Sequence, residues 1–462
     1  MKKLISLLLC LCLVLSGTAC AQAAQPAANK GSQSDSPQDQ TAHASESAEK
    51  LRNFSREGTI EETVLYDENN VKITAKNLIY NNYAAEISLV LENNSQQPLT
   101  FLSQTNNYSR NTINGCMAPG GYLNCDIEPG KKSMETLHFD YDNLRMWGIF
   151  DISQLQLGFQ IQDDEYNVVA STGIIDLPTS LSGSSHEAPV SFFESFTGQA
   201  AANHFGYQVL QASEECLYEE GGLKILSSAI AVKDRNQAVF LEVQNSSDAV
   251  IHAGIVNIAV NGLLLSSHGY SAEAVNPGAR AVVPIRLYDL TDPETAELFG
   301  IDQISSVSFD LIPMDEDANE VASTRTITLT VPDSKAALKR EGQEIYNGNG
   351  LRLISKGILE DPLEYSDDVH VLLLAENQSD HYLTLDDVYD SLSVNSFMTD
   401  CLFYSIEIGP GQSALLDVEL QGYSLKKNDL TAADITEVEL SMEISQGHST
   451  LDTPTLKMSF SK

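Results

Sequence analysis

The side chains best suited to chemistry in this sequence are acids and cysteines. Two acidic clusters, Asp163-Asp164-Glu165-Tyr166-Asn167 and Asp315-Glu316-Asp317-Ala318-Asn319-Glu320, set carboxylate and amide oxygens at alternating positions. Hard oxygen donors spaced this way suit calcium, and Asp315, Asp317 and Asn319 are the candidate ligands. Neither cluster follows the EF-hand pattern, and acids are ordinary in exposed hairpin turns. Plain turns are the expectation, with calcium as the competing use. Cys116 and Cys125 are close enough in sequence to bridge a hairpin, which spacing alone does not prove. They form no C-x-x-C pair with each other or with Cys216 and Cys401, so zinc has little support. Cys116 and Cys216 stand where sister segments carry Val, Leu or Phe, which favours buried thiols.

Nucleophilic catalysis needs a nucleophile, a base and an orienting group. The chain holds no G-x-S-x-G elbow, H-E-x-x-H pair, phosphate-cradling glycine loop or dinucleotide fingerprint. Its nine histidines are scattered, with His138, His252 and His370 on expected strands at positions the repeats do not share. Carboxylate pairs of the glycosidase kind have no sequence spacing to reveal them. No catalytic residue is therefore assigned, and no cofactor is expected apart from the calcium alternative. Trp147 is the single tryptophan, where a glycan platform usually takes several exposed aromatics. A group of Phe192, Phe193, Phe196 and Phe205 lies in a connecting segment and either packs on the following module or docks a partner.

Sixty-four Asp and Glu against 27 Lys and Arg give a formal charge of -37. Such a surface repels phosphate backbones, which argues against nucleic acid as a partner. At the start of the chain, Met1-Lys2-Lys3 is a basic segment and Leu4 to Leu15 an apolar run of secretion-signal length. The run ends in Ser16-Gly17-Thr18-Ala19-Cys20, which resembles a bacterial lipobox, with Gly17 departing from the usual Leu. The resemblance implies removal of residues 1–19, a lipid on Cys20, and a membrane partner reached through that lipid. Residues 20–56 are rich in Ala, Gln, Ser and acids, and are expected to be a disordered tether.

The elements behind these residues repeat. Ile87-Ser-Leu-Val-Leu-Glu-Asn93, Val239-Phe-Leu-Glu-Val-Gln-Asn245 and Val371-Leu-Leu-Leu-Ala-Glu-Asn377 each alternate with a period of two and each run into a Ser-containing turn. Asn93, Asn245 and Asn377 share the phase of the apolar set. They are read as inward structural amides that satisfy loop backbone groups. Upstream of each lies a hairpin signal, at Asn69-Asn70, Gly221-Gly222 and Asn349-Gly350. Downstream come a second strand-to-turn signal, Ile113-Asn114-Gly115, Val260-Asn261-Gly262 and Val394-Asn395-Ser396, and a Pro-Gly turn at Pro129, Pro277 and Pro410. A short crossover follows, with Thr291 and Glu294 at capping-box spacing in the clearest case.

These signals predict an all-β chain of three tandem antiparallel β-sandwiches, residues 57–180, 207–334 and 335–462, with a linker at 181–206. Modules of about 130 residues are long enough to carry their own cores, so three self-sufficient beads are expected. Replacing one of the three Asn by Leu is then expected to unfold its own module alone. The pattern resembles the immunoglobulin-like modules of surface lipoproteins of Gram-positive bacteria. That resemblance implies a non-catalytic protein on the outer face of the cell membrane, acting by adhesion or as an envelope scaffold toward a protein or glycan. The competing function is an enzyme, or an enzyme's accessory subunit, acting on an extracellular glycan or peptide polymer.

Overall fold

The computed structural model describes residues 50–103, 111–183, 191–234, 236–266, 271–360 and 366–460. The leader, Cys20 and most of the expected tether lie outside the described residues. From Ala48 to Lys462 the chain forms one compact unit. It is all-β, 52% strand and 10% helix, in antiparallel and mixed sheets of which none closes into a barrel.

Each repeat builds the same first sheet. An opening hairpin leads to the Asn-ended strand, which pairs on its far side with an edge strand that follows the Pro-Gly turn. In module one these are Thr63–Glu68, Val71–Tyr80, Ala84–Asn93 and Lys131–Asp140. Module two uses Tyr218–Glu220, Leu223–Lys233, Asn236–Asn245 and Arg280–Arg286. Module three uses Gln343–Gly348, Leu351–Glu360, Val369–Asn377 and Ser413–Leu420. The register repeats as well, with Val71, Leu223 and Leu351 each opposite the strand-ending Asn. The hairpin turns hold positive φ at Asn69, Asn70, Gly221, Gly222, Asn349 and Gly350, as two-residue hairpins of this twist demand. The alternating residues point into the cores: Ile87, Leu89, Leu91, Val239, Leu241 and Val243 are fully buried. Burial of each stabilises by about 2 kcal/mol.

The second sheet of each module packs across that core. In module two it contains Ile251–Val260, Ser271–Val275, Ser306–Met314 and Arg325–Thr330. A short crossover helix joins the sheets, at Tyr141–Met146, Pro293–Phe299 and Gly422–Lys427. The cap of the second differs from the expected box. Asp292, not Thr291, is the N-cap, and its carboxylate accepts from the Thr295 N–H at 2.6 Å and the Thr295 hydroxyl at 2.7 Å. With Pro293 in the first turn, the shorter acid one residue on reaches the free N–H groups directly.

The picture of independent beads is corrected. The hairpin Thr112–Met117 of module one extends the first sheet of module two, where the Arg280 N–H donates to the Gly115 carbonyl at 2.9 Å. In the same way Leu263 and Leu264 of module two pair in parallel with Ser413 and Ala414 of module three. Side chains cross with the backbone. Met117 belongs to the core of module two, and Leu264 to that of module three. Ile354, Leu372, Leu374 and Leu415 of module three join the module-two cluster in return. An apolar residue at each hairpin tip is cheaper inside the neighbour's core than in water, and this splices the three sandwiches.

The start of module one moves, and the linker gains structure. Residues 50–56, expected within the tether, lie on module one: Phe54 stacks on Tyr141 with centroids 4.6 Å apart, and the Ser55 N–H donates to the Phe150 carbonyl at 2.7 Å. The expected linker contains two short helices, Phe192–Thr197 and Gln199–Phe205.

Candidate interaction surface

The three asparagines sit at the corner where the two sheets of a module meet, and all are at most 1% exposed. The Asn93 amide donates to the carbonyls of Gln97 and Ile127, both at 2.8 Å, and its oxygen accepts from the Ser95 N–H at 2.9 Å and hydroxyl at 2.6 Å. Asn245 repeats this with Ala249, Val275 and Ser247, and Asn377 with His381, Ile408 and Ser379. One side chain thus ties its own turn to a strand of the opposite sheet. Every hydrogen-bonding site on the amide is used, so none is left for a ligand.

A second asparagine corner, legible in the sequence only as a strand-to-turn signal, is a clamp in the structure. Asn114 and Asn261 lie at the tip of the hairpin that reaches the next module, and Asn395 at the tip of the corresponding hairpin of module three, each with positive φ. The Asn114 oxygen accepts from the N–H groups of Ser153 and Gln154 at 2.9 and 3.0 Å. Asn261 does the same with Ser305 and Ser306, and Asn395 with Thr436 and Glu437. These clamps fix the hairpin before anything binds it.

The possible disulfide between Cys116 and Cys125 is not formed: both thiols are free. Cys116 lies on the hairpin that pairs with Arg280, whereas Cys125 lies in Leu123–Ile127 and donates to the Glu135 carboxylate at 3.3 Å. Burial pushes the Cys116 thiol up to about 12, and burial with the Glu135 contact pushes Cys125 to about 11. Cys216, expected to be buried, is exposed. The match to core residues in sister segments misled there, because the strand begins only at Tyr218.

Both acidic clusters close hairpin turns in one geometry. The Asp315 carboxylate accepts from the N–H groups of Asp317 and Asn319 at 2.9 and 2.8 Å and from the Asn319 amide at 3.2 Å. Asp163 does so with Glu165 and Asn167. Hydrogen bonds from Asn319 and Asn167 hold the two carboxyls below the usual range. A positive φ at Ala318 and Tyr166 completes each turn. The donors that a cation would have to displace already surround Asp315. Among the described residues, no group of three or more His, Cys, Asp or Glu is placed to hold a metal.

The aromatic linker packs on module two. Phe192 and Phe196 are buried with Ala229, Ala231 and Val282 on the outer face of its first sheet, and Trp147 and Met146 of module one pack against the same cluster. Beneath them Glu242, 4% exposed, accepts from Arg280 at 3.1 Å, from the Ser227 hydroxyl at 2.9 Å and from the Phe192 N–H at 3.3 Å. The second junction holds Glu376, bound by Arg352 at 2.9 Å and by Arg340. A cleft of about 140 Å³ beside that junction is lined by Ser266, Asp289, Tyr404, Leu415, Asp417 and Glu419. Burial raises the Glu419 carboxyl.

Module three carries an exposed apolar end. Phe397 and Met398, at its hairpin tip, are exposed, as are Tyr389 and Tyr423. The Tyr423 hydroxyl donates to Asp400 at 2.7 Å, and the Asn428 amide to the Met398 carbonyl at 3.0 Å.

No family model and no curated protein matches the chain. Similarity to solved structures extends to a protein of unknown function from Porphyromonas gingivalis W83, at 11% identity over 49% of this chain and 91% of that one, with a TM-score of 0.15. It also extends to the YadV chaperone, at 11% identity over 48% of this chain and 92% of that one, TM-score 0.15. A third is a structure described as bearing on host cell surface retention of a 1.5-MDa bacterial ice-binding adhesin, at 11% identity over 81% and 90% of the two chains, TM-score 0.14. At these scores the likenesses carry no argument about function.

Proposed function

We propose that the chain is a non-catalytic surface protein, anchored through a lipid on Cys20, that presents module three to a protein or glycan of the cell envelope. One observation carries the reading: the modules are spliced by strand pairing and shared cores into a single compact body, and that body ends in exposed Phe397, Met398, Tyr389 and Tyr423. Large apolar side chains grouped in the open are costly in water unless a partner covers them. The lipobox-like stretch Ser16–Cys20 supplies the anchor in this reading.

Two measurements test it. Cys20→Ser should move the protein from the membrane fraction to the medium, and unchanged membrane retention would refute the anchor. Purified unit Ala48–Lys462 should retain envelope material, and Tyr389→Ser with Tyr423→Ser should release it. Cleaved polymer in the same assay would replace this reading with the enzymatic one.

A further inference from the structure

The two internal junctions are one interface used twice. A hairpin clamped by Asn114 or Asn261 reaches forward, and its tip pairs in parallel with the start of the next module's edge strand, at Arg280 or at Ser413. The register is the same in both, since Arg280 and Ser413 each stand two residues after the Gly of the Pro-Gly turn. Tip residues are covered: Cys116 and Met117 are 6% and 5% exposed, Leu263 and Leu264 0% and 5%. The receiving strands are covered too, with Val282 and Leu415 each 1% exposed.

Both halves recur once more, and neither is covered. The third hairpin holds Phe397 and Met398 at the tip positions, 50% and 60% exposed. Its clamp is intact, and Ser396 accepts a φ of +69° where the other hairpins have glycine. The third receiving strand is Lys131–Asp140 of module one, which pairs along one side with Ala84–Asn93; on its other side the Gly121 N–H reaches the His138 carbonyl at 2.8 Å, while among the described residues no strand pairs with Lys132 and Ser133 there. Met134, which takes the position of Val282 and Leu415, is 72% exposed.

We propose that the chain binds a second copy of itself head to tail, the hairpin at Val394–Met398 of one copy pairing in parallel with the edge strand at Lys132–Ser133 of the next. The internal register puts Phe397 opposite Lys132 and Met398 opposite Ser133, with the Lys132 N–H donating to the Ser396 carbonyl as Arg280 does to Gly115. Lys131 faces a hairpin flanked by Asp434 and Glu437, a local attraction within an acidic chain, while Lys132 keeps its pair with Glu92 at 2.7 Å. Such a contact is heterologous, and each copy keeps one free end of each kind, so the product is an open chain or a ring. It is weaker than the internal junctions, because Ser88 stands where modules two and three have Phe240 and Leu372. No covalent connection raises the local concentration either.

The test uses two variants of the unit Ala48–Lys462, altered at opposite ends. Phe397→Asp with Met398→Asp spoils the hairpin, and Lys132→Pro removes the edge N–H. All three positions are exposed, and the Lys132–Glu92 pair that Pro removes is worth at most about 1 kcal/mol, so the melting temperature should stay close to that of the wild type. Wild type should grow in mass with concentration up to about 1 mM in sedimentation, and each variant alone should associate at least about tenfold more weakly. Mixed one to one, the variants should recover a dimer and stop there, since only one complementary pair of ends remains. A disulfide between Met398→Cys chains and Ser133→Cys chains should form in the mixture only. A wild type that stays monomeric throughout, or association that neither variant weakens, would overturn the proposal. So would a mixture that fails to dimerise. Envelope binding retained by Lys132→Pro would leave the function proposed above standing while this one is judged by mass alone.

Discussion

Asn245→Leu is the most informative single change, because the corner it breaks lies in the middle module. The amide makes two donations, to Ala249 and Val275, and its oxygen accepts two hydrogen bonds from Ser247. Leu fills the same space, so cavity formation adds little, and the loss is polar. At about 1 kcal/mol per hydrogen bond, the four together are worth about 4 kcal/mol, and the stranded Val275 carbonyl adds to this. With a urea dependence of about 2 kcal/mol per M for a module of this size, the midpoint should fall by roughly 2 M. Independent modules would confine that loss to residues 207–334. The shared cores say otherwise, since Met117 on one side and Leu372, Leu374 and Leu415 on the other are part of the module-two cluster. Trp147 packs on the outer face of module two and reports the first junction. Its fluorescence should shift in the same early transition that removes module two, while Asn203→Leu, on an exposed helix face, should leave both unchanged. A midpoint no lower than that of the control would refute the corner's role. A Trp147 signal that survives the loss of module two would refute the splice.

Thiol labelling of the native protein should modify Cys216 first and Cys116 only on unfolding, given a buried thiol raised to about 12. Protection of both Cys116 and Cys125 from labelling in the unfolded, unreduced chain would show instead that the two are bridged. Met117→Ala should cost about 3 kcal/mol and speed hydrogen exchange on both sides of the first junction, as truncation in a packed core does. The Asp315 carboxyl is held below its unfolded value, so the turn's stabilisation is present above the unfolded pKa and lost as the pH falls through the folded one. Asp315→Ala should therefore flatten the acid limb of the stability curve, read by hydrogen exchange of the 315–320 turn. Adding calcium should leave the melting temperature unchanged; a rise abolished by Asp315→Ala would show a cation held there.

The parts of this fold that were legible in the sequence are those set by local chemistry. A period of two over Ile87–Leu91 and its copies specifies a half-buried strand, and Asn-Gly or Gly-Gly specifies a hairpin, whatever lies nearby. The inward asparagines followed from their phase. What stayed hidden depends on long-range pairing. Met117 and Leu264 read as ordinary hairpin residues, and nothing in their spacing says that they enter another module's core. The apolar tips recur in all three repeats, at Met117, Leu264 and Met398, which was the available signal. That signal is ambiguous, because an apolar residue after a turn more often folds back on its own sandwich. Cys216 failed for a related reason, since equivalence to a core position does not hold beyond the strand end. The Phe192 and Phe196 pair was legible as costly if exposed, and the structure supplies the face that covers it.

The junctions are not purely apolar, and this bears on how the modules find their order. Glu242 and Glu376 are nearly buried on the outer faces of Asn-ended strands, each held by arginine. A buried ion pair adds little net stability over well-packed hydrophobic residues, yet losing one partner costs 3–5 kcal/mol, the typical range for such pairs. That asymmetry penalises wrong pairings more than it rewards the right one. Glu242 is satisfied only when Arg280, Ser227 and the Phe192 N–H converge on it, which needs the linker helix in place. Glu376 needs Arg340, from the segment joining modules two and three, together with Arg352 of its own sheet. Each module's outer face thus accepts the connection that precedes it and resists a slipped or exchanged neighbour. Module one has Val90 at the position of Glu242, and its Glu92, at the position of Glu376, pairs with Lys132 at 2.7 Å. Its outer face therefore lacks the buried, arginine-held carboxylate that makes the other two exacting.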